Sequence, residues 1–106
     1  MNSDDVKQST ELIIKHFGIE SKEFFPENEQ NFQFEELLKN FTRIISYLLE
    51  KDMTRLLNGL YRIDVNEEDF KKVLFESDSD KVAESVAKLI IERELKKVEF
   101  RKKYSS

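Results

Sequence analysis

Histidine occurs once in the 106 residues, at His16, and cysteine does not occur. A histidine general base needs an orienting carboxylate and a nucleophile or acid partner. His16 stands one residue before Phe17-Gly18, where a helix is expected to stop. An imidazole suits a helix C-terminus, so a structural role is expected for it. Zero cysteine removes the disulfide scaffold, the thiolate metal site and the cysteine nucleophile. Carboxylates are plentiful, so only their spacing can be selective. Asp64-x-Asn66-x-Glu68 opens like a calcium loop, but that loop needs Gly at its sixth position and Glu at its twelfth. Asp69 and Phe75 stand there instead. A single His cannot supply the Glu-x-x-His pairs of a di-iron bundle. The sequence has no Gly-x-Gly-x-x-Gly, no P-loop and no Gly-x-Ser-x-Gly. The expectation is a non-catalytic protein with no cofactor and no bound metal.

The elements that must position any other site read as helices. With two glycines and one proline, few tight turns are available. No run alternates strictly, and no Asn-Gly or Asp-Gly hairpin signal occurs. A first helix is predicted from about Asp4 to Phe17, with Val6, Thr10, Ile13 and Phe17 in one stripe. Gly18 stops it, and Ile19 can fold back over the end. Residues 18–31 read as a loop or a short turn centred on Pro26. The second helix runs from near Asn31 to about Glu50, with an apolar face wide enough to touch neighbours on more than one side. A phase shift in the apolar stripe points to a break near Asp52, which would cap a third helix from Met53 to Tyr61 with Leu56, Leu57 and Leu60 inward. One long bent helix is the alternative. Asn66 caps a fourth helix, with Val65 and Phe70 spaced as a hydrophobic staple. The last helix spans about Asp80 to Tyr104, roughly 37 Å at 1.5 Å per residue. Its inner face, Ala83, Val86, Ala87 and Ile90, gives way after Ile91 to Arg93, Glu94, Lys97 and Arg101. The helix is therefore expected to outrun the core. The fold class is all-α: one domain over 1–106, a four- or five-helix bundle whose residues 92–106 form a projecting basic helix end.

Charge is unevenly placed along this bundle. The net −4 divides into −6 for residues 1–36, −2 for 37–80 and +4 for 81–106. The split is compatible with a tail that binds an acidic partner. It is equally compatible with two ends that pack together, or with cations resting at a helix C-terminus. Five of the nine phenylalanines fall between 17 and 34, among Glu20, Glu23, Glu27 and Glu29. Their rings either cap the core or form an acidic-aromatic surface. Phe24 and Phe25 are the candidates for the second role. On the last helix the candidates are Arg93, Lys97, Phe100 and Arg101, and the charge of the three cations would be costly to bury without a partner.

Nucleic acid is a weaker fit. The helices at 53–61 and 67–76 could pass for a helix-turn-helix, but the reading helix would begin Asn66-Glu67-Glu68-Asp69. Three acids would then face phosphates. The basic end, with Lys96, Lys97, Arg101, Lys102 and Lys103, is the better phosphate contact, diluted by Glu92, Glu94 and Glu99. Apolar runs never exceed three residues, so no membrane span is expected. The opening Met1-Asn2-Ser3-Asp4-Asp5 lacks an apolar h-region, so no secretory signal is expected.

The stretch Leu60-Tyr61-Arg62-Ile63-Asp64-Val65, with Leu89-Ile90-Ile91-Glu92-Arg93-Glu94 and Lys97, resembles a group of short uncharacterised bacterial all-helical proteins. They share a Leu-Tyr-Arg-Ile-Asp-Val linker and a closing Ile-Ile-Glu-Arg helix. The resemblance covers about Asp52 to Tyr104 and implies a bacterial cytoplasmic protein. It carries no activity and no functional residue. It draws attention to Arg62, Asp64, Glu92 and Arg93, expected to form an ion-pair network that fixes the linker to the last helix, or else a recognition surface. The function class left standing is a small protein–protein interaction or adaptor module. Its partner would be another protein or a second copy, and nucleic acid at the basic end is the alternative.

Overall fold

A computed structural model describes residues 3–24 and 33–104. Among the described residues there are six helices and no strand. α1, Ser3–Phe17, ends as its sequence dictates. Gly18 adopts φ 62°, its N–H bonds Lys15 O at 3.2 Å, and Ile19 N–H bonds Ile14 O at 2.9 Å. That is a Schellman stop, and Ile19 is buried behind it.

α2, Ser21–Phe24, is a single turn inside the stretch 18–31 that reads as a loop or a short turn. The Glu20 carbonyl closes it, accepting from Glu23 N at 2.9 Å and Phe24 N at 3.2 Å. Arg43 Nη2 donates to Glu23 O at 2.8 Å and ties the turn to the next helix. The turn drives Phe24 to full burial, stacked on Phe41 at 6.2 Å between centroids.

α3, Phe34–Lys51, and α4, Met53–Ile63, are separate helices. Asp52 divides them with φ −152° and ψ 66°. Its N–H closes α3 on Leu48 O at 2.9 Å, and its carboxylate accepts from Arg55 N at 3.2 Å to open α4. One residue thus ends one helix and begins the next, without Gly or Pro. α5, Glu67–Glu76, starts on Asn66, whose Oδ1 accepts from Glu68 N at 2.8 Å and Asp69 N at 3.4 Å.

α6, Val82–Tyr104, lies at the centre and packs against α3, α1, α5 and α4. Its buried residues are Val86, Ala87, Ile90, Ile91, Glu94, Leu95 and Val98. This corrects the expected onset of the projection after Ile91. A stripe followed at the straight helical period assumes one neighbour. Here the buried face rotates from Val86 and Ile90 toward Leu95 and Val98. Burial ends at Val98, and only the last six residues to Tyr104 extend past it. The Cα radius of gyration, 13.4 Å, matches the ~13 Å of a chain this long.

The acidic front and the basic end meet within one molecule. Lys102 Nζ lies 3.0 Å from Asp4 Oδ2 and also contacts Asp5 Oδ1. The first turn of α1 and the last turn of α6 are therefore clasped, each charge suiting its own helix dipole. The Lys102 hydrogen bond holds the Asp4 carboxyl below its ordinary 3.8. Hydrogen bonds to Asp5 and Asp4 hold the Lys102 ammonium above its ordinary 10.5. The Asp4 contribution is complete above pH 3.8 and is lost as pH falls through the lowered value. The Lys102 contribution is complete below pH 10.5 and is lost as pH rises through the raised one. Lys102→Ala is expected to speed amide exchange in the first two turns of α1 while leaving the α3 core protected. Wild type should show the same local opening at either pH extreme. Unchanged exchange in that segment would count against the clasp.

Candidate interaction surface

Helix C-termini leave carbonyls without intrahelical donors, and at two of them this fold supplies cations from a helix further along the chain. Arg62 Nη1 donates to His16 O at 3.1 Å. Arg55 donates through Nε to Phe17 O at 2.9 Å and through Nη2 to Gly18 O at 2.6 Å. Two α4 arginines thus satisfy the end of α1. The end of α4 is met in turn from α6: Lys97 Nζ donates to Ile63 O, and Arg93 Nε to Asp64 O at 3.3 Å. Arg93 Nη2 also lies 3.7 Å from Asp64 Oδ2.

The expected network Arg62, Asp64, Glu92 and Arg93 is therefore half assembled. Asp64 and Arg93 pair. Arg62 serves α1 instead, and Glu92 is exposed. Glu92 lines a recess of about 440 Å³ with Asp64, Asn66, Asp69, Arg93 and Lys96. Three acids and two cations line it, so neither sign of charge dominates.

Asp64 carries a second duty. It sits at φ 64°, the one non-Gly residue with positive φ among the described residues. Asp64 N–H bonds Tyr61 O and Val65 N–H bonds Leu60 O, both at 3.1 Å, repeating the Gly18 stop with Asp in the glycine position. Asp tolerates this conformation far better than a β-branched residue does. Asp64→Gly is expected to stay within about 0.5 kcal/mol of wild type, and Asp64→Val to lose about 1–2 kcal/mol. Chemical denaturation of the pair checks it; equal stabilities would show that the stop does not constrain the linker.

The six residues expected to meet a partner separate into four groups. Phe24 is corrected to a core ring: the α2 turn points it at Phe41, and 0% of it is exposed. Phe25 lies outside the described residues. Arg93 and Lys97 are half-buried carbonyl caps. Of the five described, Phe100 and Arg101 alone are exposed. Phe100 packs on Tyr104 at 4.6 Å, Lys103 Nζ stands 5.7 Å from the Tyr104 ring, and Arg101 Nε reaches Lys97 O at 3.4 Å.

His16 faces Glu94, with Nδ1 3.8 Å from Oε1, too long for a hydrogen bond. Glu94 is buried, and neither of its oxygens has a hydrogen-bond partner. Ser9, the hydroxyl on the same face of α1, lies two turns and about 10 Å along the helix from His16, and it is buried. These groups do not form a nucleophile–base–orienter chain. Among the described residues no three His, Asp or Glu side chains gather to hold a metal.

A different surface is open. Leu57 was expected to face inward, yet it is 48% exposed, with Met53 at 41% and Tyr61 at 88%. The α4 core face is Leu56, Leu60 and Ile63. Met53, Leu57 and Tyr61 recur at spacing four and form a second stripe about 100° round the helix. That spacing was the signal for it. The stripe borders a groove of about 370 Å³ between α4 and α5, lined by Leu57, Leu60, Tyr61, Val65, Phe70 and Leu74, with Glu67 and Lys71 on its rim. No helix among the described residues is long and apolar enough to cross a membrane. No protein-family model, curated protein or solved structure matches the chain.

Proposed function

We propose that the chain is a small non-catalytic protein–protein interaction module that docks its partner on the apolar groove between α4 and α5. One observation carries this reading. In a chain with 38% charged residues, the outward face of α4 from Met53 to Tyr61 presents Met53, Thr54, Leu57, Asn58 and Tyr61, and no charge. An exposed apolar patch beside an apolar groove is the usual mark of a docking site. A bacterial cytoplasmic setting goes with the reading, supported by the resemblance of the linker and closing helix. Leu57→Glu is expected to abolish capture of the partners that wild type retains from cell extract, with the helical circular dichroism unchanged. Phe100→Ser should retain them. Full retention by Leu57→Glu would sink the reading.

A second reading has its own observation. At the end of α6, Phe100 and Tyr104 are exposed rings amid Lys96, Arg101 and Lys103. Rings among cations suit single-stranded nucleic acid. Binding to generic RNA that weakens with salt, and is lost in Phe100→Ser with Arg101→Ala, would support it. No binding at low salt would remove it.

A further inference from the structure

The groove reading leaves the partner open, and the charges around the groove narrow it. Arg55, the one charged residue between Met53 and Tyr61, is turned away, with its guanidinium on the Phe17 and Gly18 carbonyls. The rim charges Glu67 and Lys71 pair with each other at 3.5 Å. The patch is therefore neutral at its centre and balanced at its rim. A charged peptide or a phosphate backbone finds nothing here to pair with, and would leave its own charge desolvated.

We infer that the occupant is a second copy of this chain, docked α4 against α4 about a two-fold axis near Leu57. The inference rests on the docking reading above and names its partner. A two-fold interface sets each patch against its own image. Any net charge on the patch would then meet like charge, a severe test for a chain of net −4. The groove lining passes that test because its only charges, Glu67 and Lys71, pair with each other. It also carries both halves of a self-complementary contact. Tyr61 stands proud at 88% exposure on the groove that Leu57, Leu60, Val65, Phe70 and Leu74 help form, and Phe75, which follows Leu74 in the chain, is 85% exposed. With Leu57 on the axis and the helices antiparallel, Met53 of each copy faces Tyr61 of the other.

The area is in proportion. Met53, Leu57, Tyr61, Leu74 and Phe75 offer on the order of 500 Å² of side-chain surface. A standard interface takes about 800 Å² per partner, so the five supply most of it and the rim the remainder. Charges elsewhere on the two copies are screened beyond about 10 Å at 0.1 M salt. A dimer that dissociates in the micromolar range is the expectation.

Sedimentation velocity of the full chain from about 1 µM to about 500 µM tests this. Wild type should pass from monomer to dimer mass. Leu57→Glu and Tyr61→Glu, both at exposed positions, should stay monomeric throughout. Because the chain has no cysteine, Leu57→Cys should oxidise to a cross-linked dimer, and Lys39→Cys, exposed on α3, should not. A two-fold axis brings only residues close to it within disulfide reach. Wild type that is monomeric at every concentration overturns the inference, as does a dimer that Leu57→Glu leaves intact. The two readings fail separately. Monomeric wild type whose capture of a different protein is still lost in Leu57→Glu overturns the second copy and keeps the groove. Indifference of both mass and capture to Leu57→Glu overturns both.

Discussion

Gly59→Ala is expected to destabilise the fold by about 2 kcal/mol and to lower the melting temperature by about 10 °C. In an isolated helix the same change would stabilise by about 1 kcal/mol, so the sign itself is the test. A Cβ built on Gly59 would meet the Phe17 ring at 2.2, 2.4 and 2.6 Å. The ring has no free path of retreat. It is buried, it packs edge-on against Phe41 at 5.4 Å and 72°, and its backbone is fixed by the Gly18 stop. Its carbonyl also accepts from Arg55. α1 and α4 must therefore separate, or Phe17 must leave its rotamer. Phe17→Leu in the Gly59→Ala background should restore part of the loss, giving a strong coupling in a double-mutant cycle. Thermal and chemical denaturation of the four proteins settle the matter. A neutral Gly59→Ala would mean that the α1–α4 contact gives way freely.

The local chemistry of this fold was legible in the sequence, and its tertiary geometry largely was not. Gly18 with Ile19, Asp52 and Asn66 all act within a few residues of themselves, so their types and positions suffice to read them. The fold class follows from the same signals. Gly59 behaves otherwise: its purpose is a ring on another helix, and no spacing reveals that. The cations Arg62, Arg93 and Lys97 posed a deeper difficulty. Sequence invites pairing them with carboxylates, yet most of their bonds go to carbonyls at helix ends, which every residue carries. Arg93 alone combines both. Phe24 was ambiguous for want of the α2 turn, which sets its direction. Leu57 failed through a simpler cause. In an apolar run such as Leu56-Leu57, only one residue can face a single neighbour, and two adjacent leucines do not say which.

Glu94→Leu is expected to raise stability by about 1–3 kcal/mol, and Glu94→Gln by less. Glu94 is 1% exposed, and both its oxygens lack a hydrogen-bond partner. Its neighbours on α6, Ile91, Leu95 and Val98, are core residues. The nearest cation candidate, His16 Nδ1, is 3.8 Å away and also without a hydrogen bond. A carboxylate so placed has lost its hydration and gained little in return. Leu removes the polar oxygens and fits the apolar run. Gln keeps a polar head that the site cannot satisfy. Urea denaturation of both variants measures the difference. A Glu94→Leu protein less stable than wild type would instead show that the His16–Glu94 pair holds α1 to α6, and His16→Ala should then be equally damaging. The seam also bears on self-association. Glu94 lies between α1 and α6, whereas Leu57 lies on the outward side of α4, so the two should act independently. A stabilised Glu94→Leu chain with the wild-type concentration dependence of mass would establish that independence. A shifted dimer equilibrium would show that the seam reaches the docking face through α4, the helix that α1 also packs against.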